Sequence, residues 1–158
     1  MGWTDEFKQA ETAAQERSRI EAELQLRNDR LLSAKAPESR DALIAQLEAD
    51  CSNLEGRCRL IHVASGSWEL IGNGSPIRRS SIKFMPVGSF FRIAKTHSFD
   101  GISQYQEGIE KVRMELQAGG SVAFVTDQET YPLVEQISRY LIMQVLQGKP
   151  QTTRERPY

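Results

Sequence analysis

The chain has 158 residues, of which 39% are hydrophobic and 26% are charged, and its formal net charge is −1. This length suits one domain with a core of its own, and the composition is that of a globular rather than a disordered chain. No stretch approaches the roughly 18 apolar residues that a membrane span needs, and the polar first residues are unlike a secretory signal. We therefore expect a soluble, cytoplasmic protein.

The first predicted element is a long polar helix. Residues 4–34 are rich in Ala, Glu, Gln, Leu and Arg and contain neither Gly nor Pro. Their apolar positions form a thin stripe with a broken heptad pattern, so residues 1–35, here called the arm, should pair with a protein or a second copy, or fold back on the domain. Trp3 and Phe7 are the candidate partner-binding residues, because exposing two large aromatic side chains is unfavourable.

A second helix is predicted after Pro37, because proline has no backbone N–H and disfavours the α conformation of the residue before it. This helix should run to about Leu54 and end near Gly56. A last helix is predicted over about 131–147, with Thr130 as its N-cap. Both helices carry apolar stripes at helical spacing, so they should cover a sheet.

Between these helices the sequence predicts strands. Short runs rich in β-branched and aromatic residues alternate with turns rich in Gly, Asn, Pro and Ser. The runs are RCRLIHV, SWELIG, IRRSSIKF, SFFRIAK, IEKVRMEL and SVAFVT. Because no helix-length pattern separates them, neighbouring strands should be antiparallel and joined by short loops.

Together the elements predict an α+β fold, with a five- or six-stranded antiparallel meander sheet, two N-terminal helices and one C-terminal helix. Residues 36–148 should form the single domain, and residues 149–158 a disordered tail. The predicted core consists of Leu43, Leu47, Leu54, Leu60, Trp68, Phe84, Phe91, Val112, Phe124, Ile137 and Leu141.

One stretch, IGNGSPIRRSSIKF at residues 71–84, raises the question of a phosphate-binding loop. Such a loop needs its glycines between a strand and a helix, so that backbone N–H groups and the helix dipole face the anion. Here the residues after Gly74 alternate as in a β-strand. No lysine follows the glycines at the spacing of a P-loop. Asn73-Gly74 between two alternating runs is instead typical of a hairpin turn, which we favour.

No catalytic or metal-binding motif is visible. His97 and Asp100 share a loop and could pair for proton transfer, or Asp100 and Gly101 could simply form a turn. Cys51 and Cys58, with the two histidines, lack the paired spacing of a zinc site and are expected to be reduced thiols. The sequence therefore predicts a protein that is not an enzyme and that holds neither a metal nor a cofactor.

The charged residues are distributed unevenly along the chain. The balance is −5 over residues 1–56, +6 over residues 57–99 and −2 over residues 100–158. The basic segment either pairs with the acidic helices or forms an anion-binding surface. Alternation should place Arg78 and Arg79 on opposite faces of one strand. The candidate anion-binding residues are Arg78, Arg79, Lys83, Arg92 and Lys95.

Two functions of different classes follow. The favoured one is a non-enzymatic protein-interaction or oligomerisation module that binds a protein partner or a second copy through the arm. The alternative is a polyanion-binding module that presents the basic strands to nucleic acid. The first is favoured because a net charge of −1 and acidic flanking segments repel a nucleic-acid backbone outside the basic segment. No membrane partner is expected.

Overall fold

The computed structural model describes residues 2–85 and 89–147. Within them lie two helices, α1 (Trp3–Asn53) and α2 (Val134–Gln147), which precede and follow the strands of one sheet along the chain. The strands are β1 (Cys58–Ala64), β2 (Ser67–Gly72), β3 (Ile77–Phe84), β4 (Phe90–Ser98), β5 (Tyr105–Leu116), β6 (Val122–Val125) and β7 (Thr130–Tyr131). All neighbours are antiparallel, in the order β1 to β7. The predicted α+β class and antiparallel meander are therefore confirmed, whereas the predicted counts of strands and helices are not.

The molecule has two layers, a sheet and a pair of helices. The second half of α1 and the whole of α2 pack on the same face of the sheet and on each other. This face is called the covered face, and the opposite one the open face. Eight residues of the predicted core are buried, while Leu54, Leu60 and Trp68 are partly buried. The predicted tail, residues 149–158, lies outside the described residues.

The prediction of two N-terminal helices is wrong, because α1 runs through Pro37 without a break. Proline removes one helical hydrogen bond and crowds the preceding turn, at a cost of about 3 kcal/mol. Ala36, Leu43 and Leu47 on the two sides of this position are all buried against the sheet. Burial of the two leucines alone offsets this cost, since a fully buried leucine side chain contributes about 1.5–3 kcal/mol.

The predicted start of the last helix is also wrong, because Thr130 belongs to β7 and α2 begins at Val134. A tight turn causes the difference: the hydroxyl oxygen of Thr126 accepts the backbone N–H of Glu129 at 3.1 Å, and the chain reverses to pair with β6. The helix start is then capped by Gln136, whose side-chain oxygen accepts the backbone N–H of Leu133 at 3.0 Å.

No helix in the described part of the chain is both long enough and apolar enough to cross a membrane.

Candidate interaction surfaces

The arm projects from the domain as a bare helix. Every residue from Trp3 to Leu31 is exposed, and the first buried residue of α1 is Ala36. At a rise of about 1.5 Å per residue, this exposed stretch extends for about 44 Å. The arm therefore does not fold back on the sheet, which was one of the outcomes considered from the sequence.

Large apolar side chains lie on this exposed helix. Trp3 and Phe7 near its tip are 76% and 61% exposed. Farther along, the exposed apolar residues are Ile20, Leu24, Leu26 and Leu31. So many exposed apolar groups on one element are typical of a surface that binds a partner.

Local ion pairs give the arm only modest support. The guanidinium of Arg19 contacts Glu16 and also Glu23, the latter at 2.9 Å, while Gln25 donates to Asp29 at 2.9 Å. Exposed pairs of this spacing contribute about 0.2–0.5 kcal/mol each to a helix. Helix propensity and these pairs leave the large apolar side chains of the arm exposed.

The candidate cations divide between the two faces of the sheet, as alternation predicts for Arg78 and Arg79. Arg78 and Lys95 lie on the covered face, in line with the buried residues Ser80 and Ile93 of their strands. Both have acidic neighbours there. The Lys95 ammonium is 2.7 Å from Glu110, and Arg78 Nε is 3.7 Å from Glu107.

Glu110 also joins the sheet to α2. The Tyr140 hydroxyl donates to its two carboxylate oxygens at 2.7 and 2.9 Å. Burial raises the pKa of Tyr140 well above the ordinary tyrosine value, and the nearby Glu110 carboxylate raises it further. Lys95, Glu110 and Tyr140 thus form a charge-assisted chain inside the domain, in which Lys95 is already paired.

The open face carries the remaining cations. Arg79 is held by Glu69 at 3.1 Å. Lys83, by contrast, lies directly opposite Arg92, and Arg92 lies directly opposite Lys111 of β5. All three side chains are exposed, and in the described part of the chain none has an acidic group within 4.0 Å. We call Lys83, Arg92 and Lys111 the cationic row.

An aromatic ring lies beside the cationic row. Phe90 is two residues from Arg92 on the same face, and its Cα partner on β5 is Arg113. The Lys111 ammonium is 4.2 Å from the centre of the Phe90 ring. Lys111 and Arg113 were missed from the sequence, because their closeness to Lys83 and Arg92 depends on the β4–β5 register and not on neighbouring positions.

His97 and Asp100 do not form the pair considered from the sequence. The Nδ1 atom of His97 is 2.8 Å from a carboxylate oxygen of Glu107 instead. Asp100 closes its own loop by accepting the backbone N–H groups of Ile102 and Ser103 at 2.8 and 2.7 Å. These hydrogen bonds lower the pKa of Asp100 to about 2. The carboxylate thus serves as a turn cap, as the alternative interpretation predicted.

The glycine-containing stretch at residues 71–84 is a hairpin, as expected. β2 ends at Gly72 and β3 begins at Ile77, with no helix between them. The Asn73 N–H donates to the carbonyl of Arg57 at 2.7 Å. A cavity of about 340 Å³ lies beside this turn, lined in part by Arg59 and by Arg79, which Glu69 already engages.

The two cysteines meet inside the core. The Cys58 thiol donates to the Cys51 sulfur at 3.2 Å, and both residues are buried. Burial, followed by the contact with Cys58, raises the pKa of the Cys51 thiol to about 12. Among the described residues, no three Cys, His, Asp or Glu side chains converge in a way that could hold a metal ion.

No family model matches the chain, and neither a curated protein nor a solved structure matches it. Function must therefore be inferred from the arm and from the open face of the sheet.

Proposed function

We propose that this protein is a non-enzymatic self-association module in which the arms of two copies pair in antiparallel orientation. The observation that carries the proposal is the exposed helix from Trp3 to Leu31, which begins with two large aromatic side chains. Helical stability in proteins comes mainly from packing of an apolar stripe, and this stretch packs on nothing in its own described chain.

The stripe suited to pairing follows alternating steps of four and three residues. Its members are Trp3, Phe7, Ala10, Ala14, Arg17, Glu21, Leu24, Asn28 and Leu31. Such spacing is that of the a and d positions of a coiled coil. Apart from Asn28, the stripe is apolar near both ends, and its middle carries one cation and one anion, Arg17 and Glu21.

The charges in the middle favour antiparallel pairing. In a parallel, in-register pair Arg17 would face Arg17 and Glu21 would face Glu21, and like charges at facing positions are unfavourable. In an antiparallel pair centred between these residues, Arg17 of each copy faces Glu21 of the other. The two-fold axis makes this contact twice, as an isologous interface requires.

The same alignment places small side chains opposite larger ones in the inner part of the stripe. Ala14 falls opposite Leu24 of the second copy and Ala10 opposite Asn28, whereas the large Phe7 and Leu31 fall opposite each other near the ends. Large side chains opposite small ones allow two helices to interdigitate without voids. Trp3 then reaches the level of Lys35, where the arm joins the domain, so the aromatic tip leaves solvent.

Charge reversal tests the pairing. We expect the full chain to be a dimer by sedimentation equilibrium, and we expect Arg17→Glu and Glu21→Arg each to weaken dimerisation by at least tenfold. Mixing the two variants should restore dimers. One variant is acidic at positions 17 and 21 and the other is basic at both, so opposite charges then face each other. Arg30→Glu is the matched control, since it reverses a cation on the opposite side of the arm and should leave dimerisation unchanged.

Cross-linking tests the orientation. Phe7→Cys and Leu31→Cys chains should form a mixed disulfide when combined, whereas neither should cross-link efficiently to itself. Cys51 and Cys58 are buried and should not compete. A chain that stays monomeric at millimolar concentration, or one that cross-links at Phe7→Cys alone, would contradict the proposal.

A further inference from the structure

The cationic row is unusual in its position within the sheet. Lys83, Arg92 and Lys111 occupy directly paired positions on β3, β4 and β5, which are the three central strands of seven. Like charges directly opposite each other on one face destabilise a sheet. Charged residues on edge strands prevent unwanted strand pairing, but that explanation does not apply to strands that already have two neighbours.

The rest of the sheet shows how the chain neutralises such charges elsewhere. Arg79 on the same face is paired with Glu69, and Lys95 on the covered face is paired with Glu110. Within the described ranges, no acidic side chain pairs with the cationic row. One acidic residue in place of Arg92 would supply such a partner. An unneutralised row that costs stability indicates a ligand that brings negative charge.

The open face also separates this charge from the acidic part of the protein. The carboxylates of the second half of α1 belong to the helical layer on the other side of the sheet. The net charge of −1 therefore does not describe the field above the cationic row. Arg113 extends the row by one position on β5, and its nearest carboxylate, Glu115, is 3.5 Å away.

The position of Phe90 beside the cationic row indicates which class of anionic ligand the open face would bind. Its ring lies on the open face between Arg92 and Arg113, with the Lys111 ammonium over it. Cations that follow a phosphate backbone, next to an aromatic ring on which a base stacks, are the usual elements of single-strand recognition. Duplex DNA is read mainly by a helix or a β-ribbon that enters a groove, and the middle of a broad sheet face cannot enter one.

We propose that the open face binds single-stranded nucleic acid, with backbone phosphates on Lys83, Arg92 and Lys111. The Lys111 ammonium then moves from the Phe90 ring to a phosphate, and a base stacks on the ring in its place. Strands lie about 4.8 Å apart, so the row spans about 10 Å across the sheet, and the bound strand crosses β3, β4 and β5. This site is independent of the arm, and it does not require the protein to self-associate.

The test is binding of a fluorescently labelled 15-nucleotide oligothymidine to the full chain, measured by anisotropy across a salt series. Each phosphate contact to a single strand contributes a slope of about −0.7 in log K against log salt. Three or four contacts therefore predict a slope of about −2 to −3, or a loss of about 20- to 50-fold between 50 and 200 mM salt. Lys83→Gln, Arg92→Gln and Lys111→Gln should each reduce the slope by about 0.7.

Two further variants separate stacking from charge. Phe90→Leu should weaken binding several-fold and leave the salt slope unchanged. Arg139→Gln removes an exposed cation from α2, on the other side of the domain, and should change neither affinity nor slope. The Gln variants of the cationic row should melt at or above the temperature of the unchanged protein, since they remove like-charge repulsion.

Several results would overturn the proposal. These are no binding at 50 mM salt, equal weakening by Arg139→Gln, and unchanged affinity when all three row residues are replaced. Tighter binding of a matched duplex or of a polyglutamate peptide would also reject a single-strand site. Because the site lies within a single chain, a monomeric chain that binds oligothymidine would reject the proposed self-association and leave this proposal standing.

Discussion

Gly72 of β2 and Val145 of α2 contact each other backbone to backbone. A Cβ atom added at residue 72 would overlap the carbonyl group of Val145. The last turns of α2 can approach the sheet this closely only because residue 72 has no side chain. This contact fixes the distance between the helical layer and β2, and hence the packing of Leu70 beneath α2.

Gly72→Ala should therefore destabilise the protein by at least about 1–3 kcal/mol, the usual cost of overpacking a core. Urea unfolding followed by circular dichroism measures the change. Gly74→Ala is the matched control in the adjacent turn, where an added Cβ would lie 3.7 Å from its nearest neighbour, the Pro76 carbonyl oxygen. The control should change stability by less than about 0.5 kcal/mol, and equal effects of both substitutions would contradict the packing argument.

Tyr140→Phe should cost about 1.5–3 kcal/mol, because it removes a hydrogen bond to the charged Glu110. The loss should depend on pH. The folded state raises the pKa of Tyr140, so its contribution is complete below the ordinary tyrosine pKa of about 10 and declines above it, where the unfolded chain releases the proton first. Stabilities of both proteins measured from pH 7 to 11 should converge above pH 10, and a constant difference would contradict this assignment.

Cys51 and Cys58 should resist alkylation in the folded protein. Their burial excludes reagent, and the raised pKa of Cys51 keeps that thiol protonated at neutral pH. Iodoacetamide followed by mass spectrometry should find almost no modification without denaturant and two modified cysteines in 6 M guanidinium. A Thr12→Cys chain, whose thiol would lie on the exposed arm outside the pairing stripe, provides the positive control, and rapid native labelling of Cys51 would contradict the structure.

Arg92→Gln should stabilise the protein, by about 0.2–1 kcal/mol, because it relieves repulsion from both Lys83 and Lys111. The gain should shrink as salt rises from 10 mM to 500 mM, since screening weakens interactions between exposed charges. Thermal unfolding at both salt concentrations measures it. Arg139→Gln again serves as the control, and a destabilised Arg92→Gln protein would contradict the prediction, because favourable contacts of Arg92 would then outweigh the repulsion.

Strand runs were visible in the sequence because alternation and turn residues are local signals. The hairpin at Asn73-Gly74 and most of the core follow from them. The continuous α1 could not be predicted, because the effect of Pro37 is decided by burial of Ala36, Leu43 and Leu47 against a distant sheet. β7 was missed for a similar reason, since a two-residue strand is defined by its partner and not by its own pattern.

The candidate surfaces differ in how far sequence could predict them. Trp3 and Phe7 mark the arm by composition alone. The cationic row required the registers of two strand pairs, which place Lys111 beside Arg92 although they are far apart in the chain. A β-bulge near Gly108 likewise brings Glu107 to His97, and no local signal indicated that contact.

The order of the sheet has a consequence for how the chain folds. Each strand pairs with its neighbour in sequence, so the hairpins can form one after another without the closure of a long loop. The last described element, α2, then packs on β1, β2 and β3, the first strands to be made. Until it does, Leu70 and Ile82 face water. Docking of α2 thus joins the two ends of the domain.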